Sequence, residues 1–250
     1  MRRYWVEKEA LDGDVVRLSG DTLHHIRDVC RMHLGSKFEV IVDGGNAHLV
    51  EIFSESKKES VAKILETRAI PELPRPHLHL ALSIPRFPVF EAVLEKCVEL
   101  GVKEIHPFFS EFSFIRTQAD TWDKKLPRFE KIVQSATQQC GRGELMSIAS
   151  PISLKDLLDS FNRTKGAAGL FLYEGAGTLS AKDGVEKVRS SDPEDVWMFV
   201  GSEGGFADKE VELFRSVGLA TVTLGPQVLR VETACVASVS ILKYGLDLMR

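Results

Sequence analysis

No run in this 250-residue sequence approaches the roughly 18 uninterrupted apolar residues that a membrane span requires. The opening MRRYWVEKEA places charges where a secretory signal needs an apolar core, so a cytoplasmic protein with no membrane partner is expected. Cysteine is scarce: Cys30, Cys97, Cys140 and Cys235 stand far apart, with no CxxC pair and no nearby histidine at zinc-ligand spacing. Buried thiols, no disulfide and no metal are the expectations. His24 and His25 are adjacent, so on one element they point in different directions and cannot both face one ion. A positive excess is also missing. With 32 Lys and Arg against 36 Asp and Glu, the net charge of −4 would not draw a polyanion from a distance. Any RNA contact must be local. The candidates are Arg2, Arg3, Arg27 and Arg31, and the segment Arg116 to Arg142 with Lys124, Lys125, Arg128 and Lys131, all of which read equally well as solvated faces. The dinucleotide fingerprint GxGxxG is absent as well, which argues against a dinucleotide-dependent oxidoreductase.

What is present suggests two textures. The stretch Ile70 to Pro76, IPELPRP, holds three prolines and favours an extended connector, dividing the chain into a domain over 1–70, a linker over 71–77 and a domain over 78–250. Before it lie short β-like runs (YWV, VVRL, FEVIV, AHLVEIF and SVAKILETRAI) with Asp43, Gly44 and Gly45 as a hairpin turn and one helical stretch near Thr22 to Met32. A small β-barrel fits this pattern. After the connector, strands alternate with amphipathic helices, the pattern of an α/β domain with a mostly parallel sheet. HLHLALSI and VKEIHPFF are strands, and between them PVFEAVLEKCVELG is a helix burying Phe90, Val93, Leu94, Cys97 and Val98. A helix from about Pro127 to Cys140 buries Phe129, Ile132, Val133 and Ala136, and Ser153 with Asp156 opens SLKDLLDSF as a capping box. AGLFLY, VWMFV and LATVTL are short apolar runs of fully buried strands.

The chemistry concentrates after Val196. VWMFV runs directly into GSEGGF, where Gly201, Gly204 and Gly205 let backbone amides approach a ligand without Cβ obstruction, although a plain turn reads the same way. LATVTL runs into LGPQVLRVETA, after which ACVASVSILKYGLDLM is a long terminal helix. Two strands thus deliver two ligand loops to one edge. Arg230 is the only cation of the second loop and Glu232 sits where a helix N-terminus favours an anion; spacing alone leaves open whether they pair on the surface or serve a ligand.

ELGV (Glu99 to Val102), the pair Gln139 and Arg142, GSEGGF and LGPQVLRVETA, in this order, resemble the RsmE family across essentially the whole chain. These bacterial SPOUT methyltransferases modify N3 of a uridine in small-subunit (16S) ribosomal RNA. The resemblance implies a PUA-like β-barrel that helps bind RNA and an α/β domain closed by a trefoil knot. It implies a pocket for S-adenosyl-L-methionine lined by Gly201, Glu203, Gly204 and Gly205, by Leu224, Gly225, Leu229 and Arg230, and by Leu172, Tyr173 and Glu174. It implies catalytic work by Arg230, with Glu203 or Glu232 accepting a proton, and RNA contacts at Arg2, Arg3, Arg27, Arg31, Gln139 and Arg142. A homodimer packed through the knot region is implied too; Val236, Val239 and Leu242 form a stripe that suits either that interface or the chain's own sheet.

Five positions depart from the family pattern. Ser202 stands for a proline, Gln227 and Phe112 for arginines, and Arg86 with Phe87 for Lys-Gly. A second reading is therefore an RNA-binding ribosome assembly factor of the same fold without catalysis. The intact glycine loops favour the enzyme.

Overall fold

The computed structural model describes residues 2–42, 45–115, 120–175 and 178–249, except for the side chain of Asp120. Asp43 and Gly44 of the expected turn, and Arg116, lie outside the described residues. The chain divides into two compact units, Met1–Glu72 with Gln134–Leu145, and Leu73–Val133 with Met146–Arg250.

In the first unit, β1 (Arg3–Val6), β2 (Leu11–Asp12), β3 (Val15–Leu18), β4 (Lys37–Val42), β5 (Asn46–Glu55) and β6 (Ser60–Ala69) form one sheet in the order β1-β4-β5-β6-β3-β2. Among the described residues its end strands, β1 and β2, are not bonded to each other, so the small barrel suggested by the sequence is open. Period-two alternation sends Val16 and Leu18, Phe38 and Val40, and Val50 and Ile52 into one core. The helical stretch is α1 (Gly20–His24), continued by a π-helical turn over His25–Val29 that buries Ile26. Residues 134–145 group with this unit and not, as the sequence suggested, with the second. The Ile70 side chain packs close against Gly143, and the Arg3 guanidinium donates to the Gln139 carbonyl at 3.4 Å. Apolar periodicity marks a helix but carries no information about which unit its two ends join.

The second unit contains β7 (His77–Ser83), α2 (Phe87–Glu99), β8 (Val102–Phe109), α3 (Asp120–Cys140, whose last turns belong to the first unit), β9 (Ser147–Ile148), β10 (Ile152–Ser153), α4 (Leu154–Arg163), β11 (Ala167–Leu172), β12 (Leu179–Ser180), α5 (Ala181–Arg189), β13 (Asp195–Val200), α6 (Asp208–Ser216), β14 (Ala220–Thr223) and α7 (Val231–Gly245). Its sheet runs β10-β8-β7-β13-β11-β14-β12 with β9 beside β8, and every pair is parallel. On one face Trp197 and Phe199 meet Leu157 and Phe161 of α4 and Phe214 of α6. Val196, Met198 and Val200 take the opposite face, and α7 packs on β13.

Some local expectations change. α3 starts seven residues before Pro127, at Asp120, because Trp122 seats against Phe90 and Phe129 at 5.3 Å from each ring. The terminal helix starts at Val231, with Arg230 as its cap. Of the four thiols expected to be buried, Cys97 and Cys235 are buried, Cys30 is half-buried and Cys140 is exposed; all are free. Cys140 ends α3, next to Gly141 at φ +78°. His24 and His25 are both exposed. Among the described residues no helix is long and apolar enough to cross a membrane.

Phe214 is fully buried, stacked on Phe171 at 4.6 Å and edge-on to Phe206 at 4.8 Å. Phe214→Ala should therefore cost about 3–5 kcal/mol in urea unfolding. A loss under about 1 kcal/mol would mean that this aromatic cluster does not organise the unit.

Candidate functional site

Because β13, β11 and β14 are neighbours and parallel, their carboxyl ends finish side by side. In open α/β sheets this edge is where ligands bind. The segments that follow the three strands enclose a cavity of 320 Å³, within the roughly 300–1,000 Å³ of small-molecule sites. Leu172, Tyr173 and Glu174 line it from β11, Gly201 to Phe206 from β13, and Thr223, Leu224, Gly225, Gln227, Val228 and Leu229 from β14. Val231 and Ala234 of α7 close it.

The first loop is a tight turn. Gly205 donates its amide to the Ser202 carbonyl at 2.9 Å with φ at +68°, and a Cβ on Gly201 would stand 2.9 Å from Gly205 Cα. No side chain fits at Gly201 without moving backbone. Phe206, buried, pins the end of the turn into the aromatic core. In the second loop Thr223 Oγ1 accepts from the Gly225 amide at 3.2 Å and donates to its carbonyl at 3.0 Å, and Gly225 takes φ +119°. An added Cβ at Gly205 would meet nothing within 4 Å, and at Gly225 only Gln227 Oε1 at 3.7 Å. Both backbones thus border open space that a side chain would fill, the arrangement an adenosyl ligand held by main-chain amides requires.

A second layer holds the first loop in place. The buried Glu210 carboxylate accepts from the Ala207 amide through Oε2 and from the Glu111 amide through Oε1, both at 2.9 Å. Ser202, also buried, donates its hydroxyl to the Phe112 carbonyl at 2.7 Å. A Cβ on Gly204 would sit 2.7 Å from Phe112 Cβ, so the exposed Phe112 side chain lies directly on that glycine. Two of the family departures, Ser202 and Phe112, are therefore contact partners. A third meets the loop as well, since the Arg86 amide donates to Glu203 Oε1 at 3.2 Å. None of these pairings is visible in the sequence, where about 90 or more positions separate the partners.

The expected site residues fall into three sets. Ten of the eleven expected cofactor residues line the cavity: Leu172, Tyr173, Glu174, Gly201, Glu203, Gly204, Gly205, Leu224, Gly225 and Leu229. Arg230 does not. It caps α7 with its side chain in solvent, and it makes no ion pair with Glu232 among the described residues. Glu232, in the first turn of α7, is half-buried and also lies outside the lining, so only Glu203 of the three catalytic candidates borders the cavity. Of the expected RNA residues, Arg2 is exposed and donates to Cys30 Sγ, and Arg31 is exposed at φ +54°. Arg27 pairs with Asp28 at 3.2 Å, Arg3 with Glu39 at 2.9 Å, and Gln139 is exposed. Arg142 is buried, at 8% exposed, with Glu144 at 3.7 Å.

At the amino end of the same sheet the parallel register gathers a group that sequence spacing had hidden. His79, Glu104 and His106 lie together, with both imidazoles stacked on Trp197 at 5.0 and 4.0 Å. Burial pushes His106 down to about 3, and lowers His79 against the opposing pull of Asp195.

Residues 71–243 match the RNA methyltransferase domain and residues 18–65 the RNA methyltransferase PUA domain, so fold and cavity define an RNA methyltransferase with an N-terminal PUA-like unit. The chain is 30% identical over 234 residues to the ribosomal RNA small subunit methyltransferase E of Buchnera aphidicola subsp. Schizaphis graminum, covering 92% of each protein. It is 32% identical to that of Mesomycoplasma hyopneumoniae, covering 88% of this chain and 89% of the relative. The crystal structure of a ribosomal RNA small subunit methyltransferase E from Neisseria gonorrhoeae bound to S-adenosyl methionine matches it with a TM-score of 0.83 at 26% identity, over 98% of this chain and 97% of that one. The chain belongs to the ribosomal RNA small subunit methyltransferase E family.

Glu210→Gln keeps the shape but replaces one acceptor oxygen with a donor facing an amide. A stability loss of about 1–3 kcal/mol is expected, together with faster hydrogen exchange at residues 201–207. Unchanged exchange there would show that Glu210 does not hold the loop.

Proposed function

We propose that this protein methylates N3 of a uridine in 16S ribosomal RNA, with S-adenosyl-L-methionine held in the cavity between the two glycine loops. The observation that carries the reading is the convergence of ten expected ligand residues on one cavity at the carboxyl ends of β11, β13 and β14. Main-chain groups of Gly201 to Gly205 and of Leu224 to Leu229 would hold the ligand, with Tyr173 and Leu172 beside them. Bound there, S-adenosylmethionine supplies an electrophilic methyl on a sulfonium and needs no further activation.

What remains for the protein is alignment and charge. Uracil N3 carries a proton at neutral pH and becomes a good nucleophile only when that proton leaves. The anion spreads onto O2 and O4, so a cation beside those oxygens lowers the barrier. Arg230 suits this role: it follows Leu229 of the cavity wall, yet its guanidinium faces solvent, where an RNA base would arrive. Glu203 is the proton acceptor we favour, being the one carboxylate of the three candidates on the cavity wall, oriented by the Arg86 amide. Arg2, Arg27 and Arg31 are proposed as RNA-docking residues of the PUA-like unit. The cytoplasm is proposed as its compartment, in keeping with work on ribosomal RNA. The trefoil knot is proposed for the segment carrying the two glycine loops. A homodimer is proposed as well. Val239 and Leu242 are buried in the chain itself, so an interface on α7 would use Val236, Ser240 and the exposed Tyr244 on another face.

Calorimetry should show one S-adenosylmethionine bound per chain, and methyl transfer should appear on 16S RNA or the small subunit. Gly225→Val should remove ligand affinity without unfolding the protein. Arg230→Ala should leave affinity for S-adenosylmethionine intact and lower single-turnover methylation about 100- to 1,000-fold, with a smaller effect on RNA affinity. Weak RNA binding with a normal rate at saturation would make Arg230 a docking residue instead.

A further inference from the structure

The geometry points to a second ligand site that plays no part in methyl transfer: we propose that His79, Glu104 and His106 bind one divalent cation of the zinc class. β7 lies between β8 and β13, with His79 opposite Glu104 on one side and Trp197 on the other, while His106 sits two residues beyond Glu104 on the same face. The three donor atoms form a nearly regular triangle. His79 Nδ1 and His106 Nε2 are 3.1 Å apart, His106 Nε2 and Glu104 Oε2 3.4 Å, and His79 Nδ1 and Glu104 Oε2 3.9 Å. Zinc bonds of roughly 2.0–2.1 Å in a tetrahedral array set their donors about 3.3–3.4 Å apart, so this triangle is close to one face of such a tetrahedron.

The surroundings prepare the ligands. Asp195 Oδ1 lies 3.0 Å from His79 Nε2, and accepting that N–H leaves Nδ1 with its lone pair toward the triangle. A carboxylate behind a histidine in this way fixes tautomer and ring orientation at metal sites. Trp197 holds both rings by stacking. A chain of hydrogen bonds alone would give the His106 Nε2–H one partner, at 3.1 Å, and leave Glu104 beyond good hydrogen-bond range at 3.4 Å. One cation satisfies all three donors together. Glu104 is partly exposed, so the fourth position opens toward water. Three residues of β13, Met198 to Val200, separate Trp197 from Gly201, about 13 Å along the chain, which keeps the cation away from the methyl-transfer cavity. Its role is to tie β7 to β8, two strands of the sheet that carries that cavity.

The test uses the full-length chain, stripped with chelator and titrated with Zn(II) by calorimetry and with Co(II) by visible absorption. One Zn(II) per chain, a raised melting temperature and tetrahedral Co(II) bands are expected. Glu104→Gln and His106→Gln should each weaken Zn(II) at least tenfold while S-adenosylmethionine binding persists, and Asp195→Asn should weaken it about 10- to 100-fold. Quenching of tryptophan fluorescence by Co(II) should disappear in Trp197→Phe. No saturable Zn(II) binding by the wild-type chain would overturn the proposal and leave a hydrogen-bonded histidine pair. Binding unchanged in the Glu104 and His106 variants would overturn it equally, placing the ion elsewhere on the surface. If a ligand variant fails to fold, the absence of wild-type binding still overturns the proposal, and Asp195→Asn, outside the three ligands, still tests the ion's place.

Discussion

Every functional feature of the second unit depends on β13 pairing in parallel with β7 on one side and β11 on the other. That pairing is driven by burial: all of Val196 to Val200 is removed from water, and the interior they occupy cannot accept polar substitutes without unsatisfied groups. Since parallel strands end on the same edge, burying these side chains also delivers three loops to one place. The cavity is therefore a by-product of core packing, and the loops need only the local chemistry that keeps them open: glycine where backbones approach, and a few side chains that bind loop amides and carbonyls. Glu210, Ser202 and Thr223 supply the latter. None of them has to touch a ligand to matter.

Much of this was legible in the sequence because the deciding forces are local or periodic. Buried strands read as apolar runs, α2 and α4 as amphipathic stripes with a start signal, and both ligand loops as glycine-bearing exits from apolar strands. What was hidden depends on partners distant in the chain. The side on which residues 134–145 pack, the burial of Arg142 and the meeting of His79 with His106 are set by tertiary register, and no spacing rule in one sequence encodes them. Arg230 shows the limit within a legible motif. Its neighbour Leu229 lines the cavity, but as the cap of α7 Arg230 itself points its side chain to solvent, and a residue string does not reveal which way a cap side chain turns.

The departures from the family pattern acquire a physical reading. A proline at position 202 could not donate the hydrogen bond that Ser202 gives to the Phe112 carbonyl, and an arginine at 112 would bring charge where Phe112 now covers Gly204. Ser202 holds the main chain at residue 112 and the Phe112 side chain covers Gly204, so both changes bear on the same loop and preserve it. This is why they count for little against catalysis: the segment they alter keeps its turn, its buried anchor at Phe206 and its opening toward the cavity.

The central claim is that the exits of β13 and β14 jointly hold the methyl donor. Hydrogen–deuterium exchange of the full chain with and without S-adenosylhomocysteine tests it most directly. Protection confined to the amides of residues 201–206 and 223–231, with 172–174 following and the first unit unchanged, is the predicted result. Protection in another segment, with both loops exchanging as fast as in the free protein, would contradict the account.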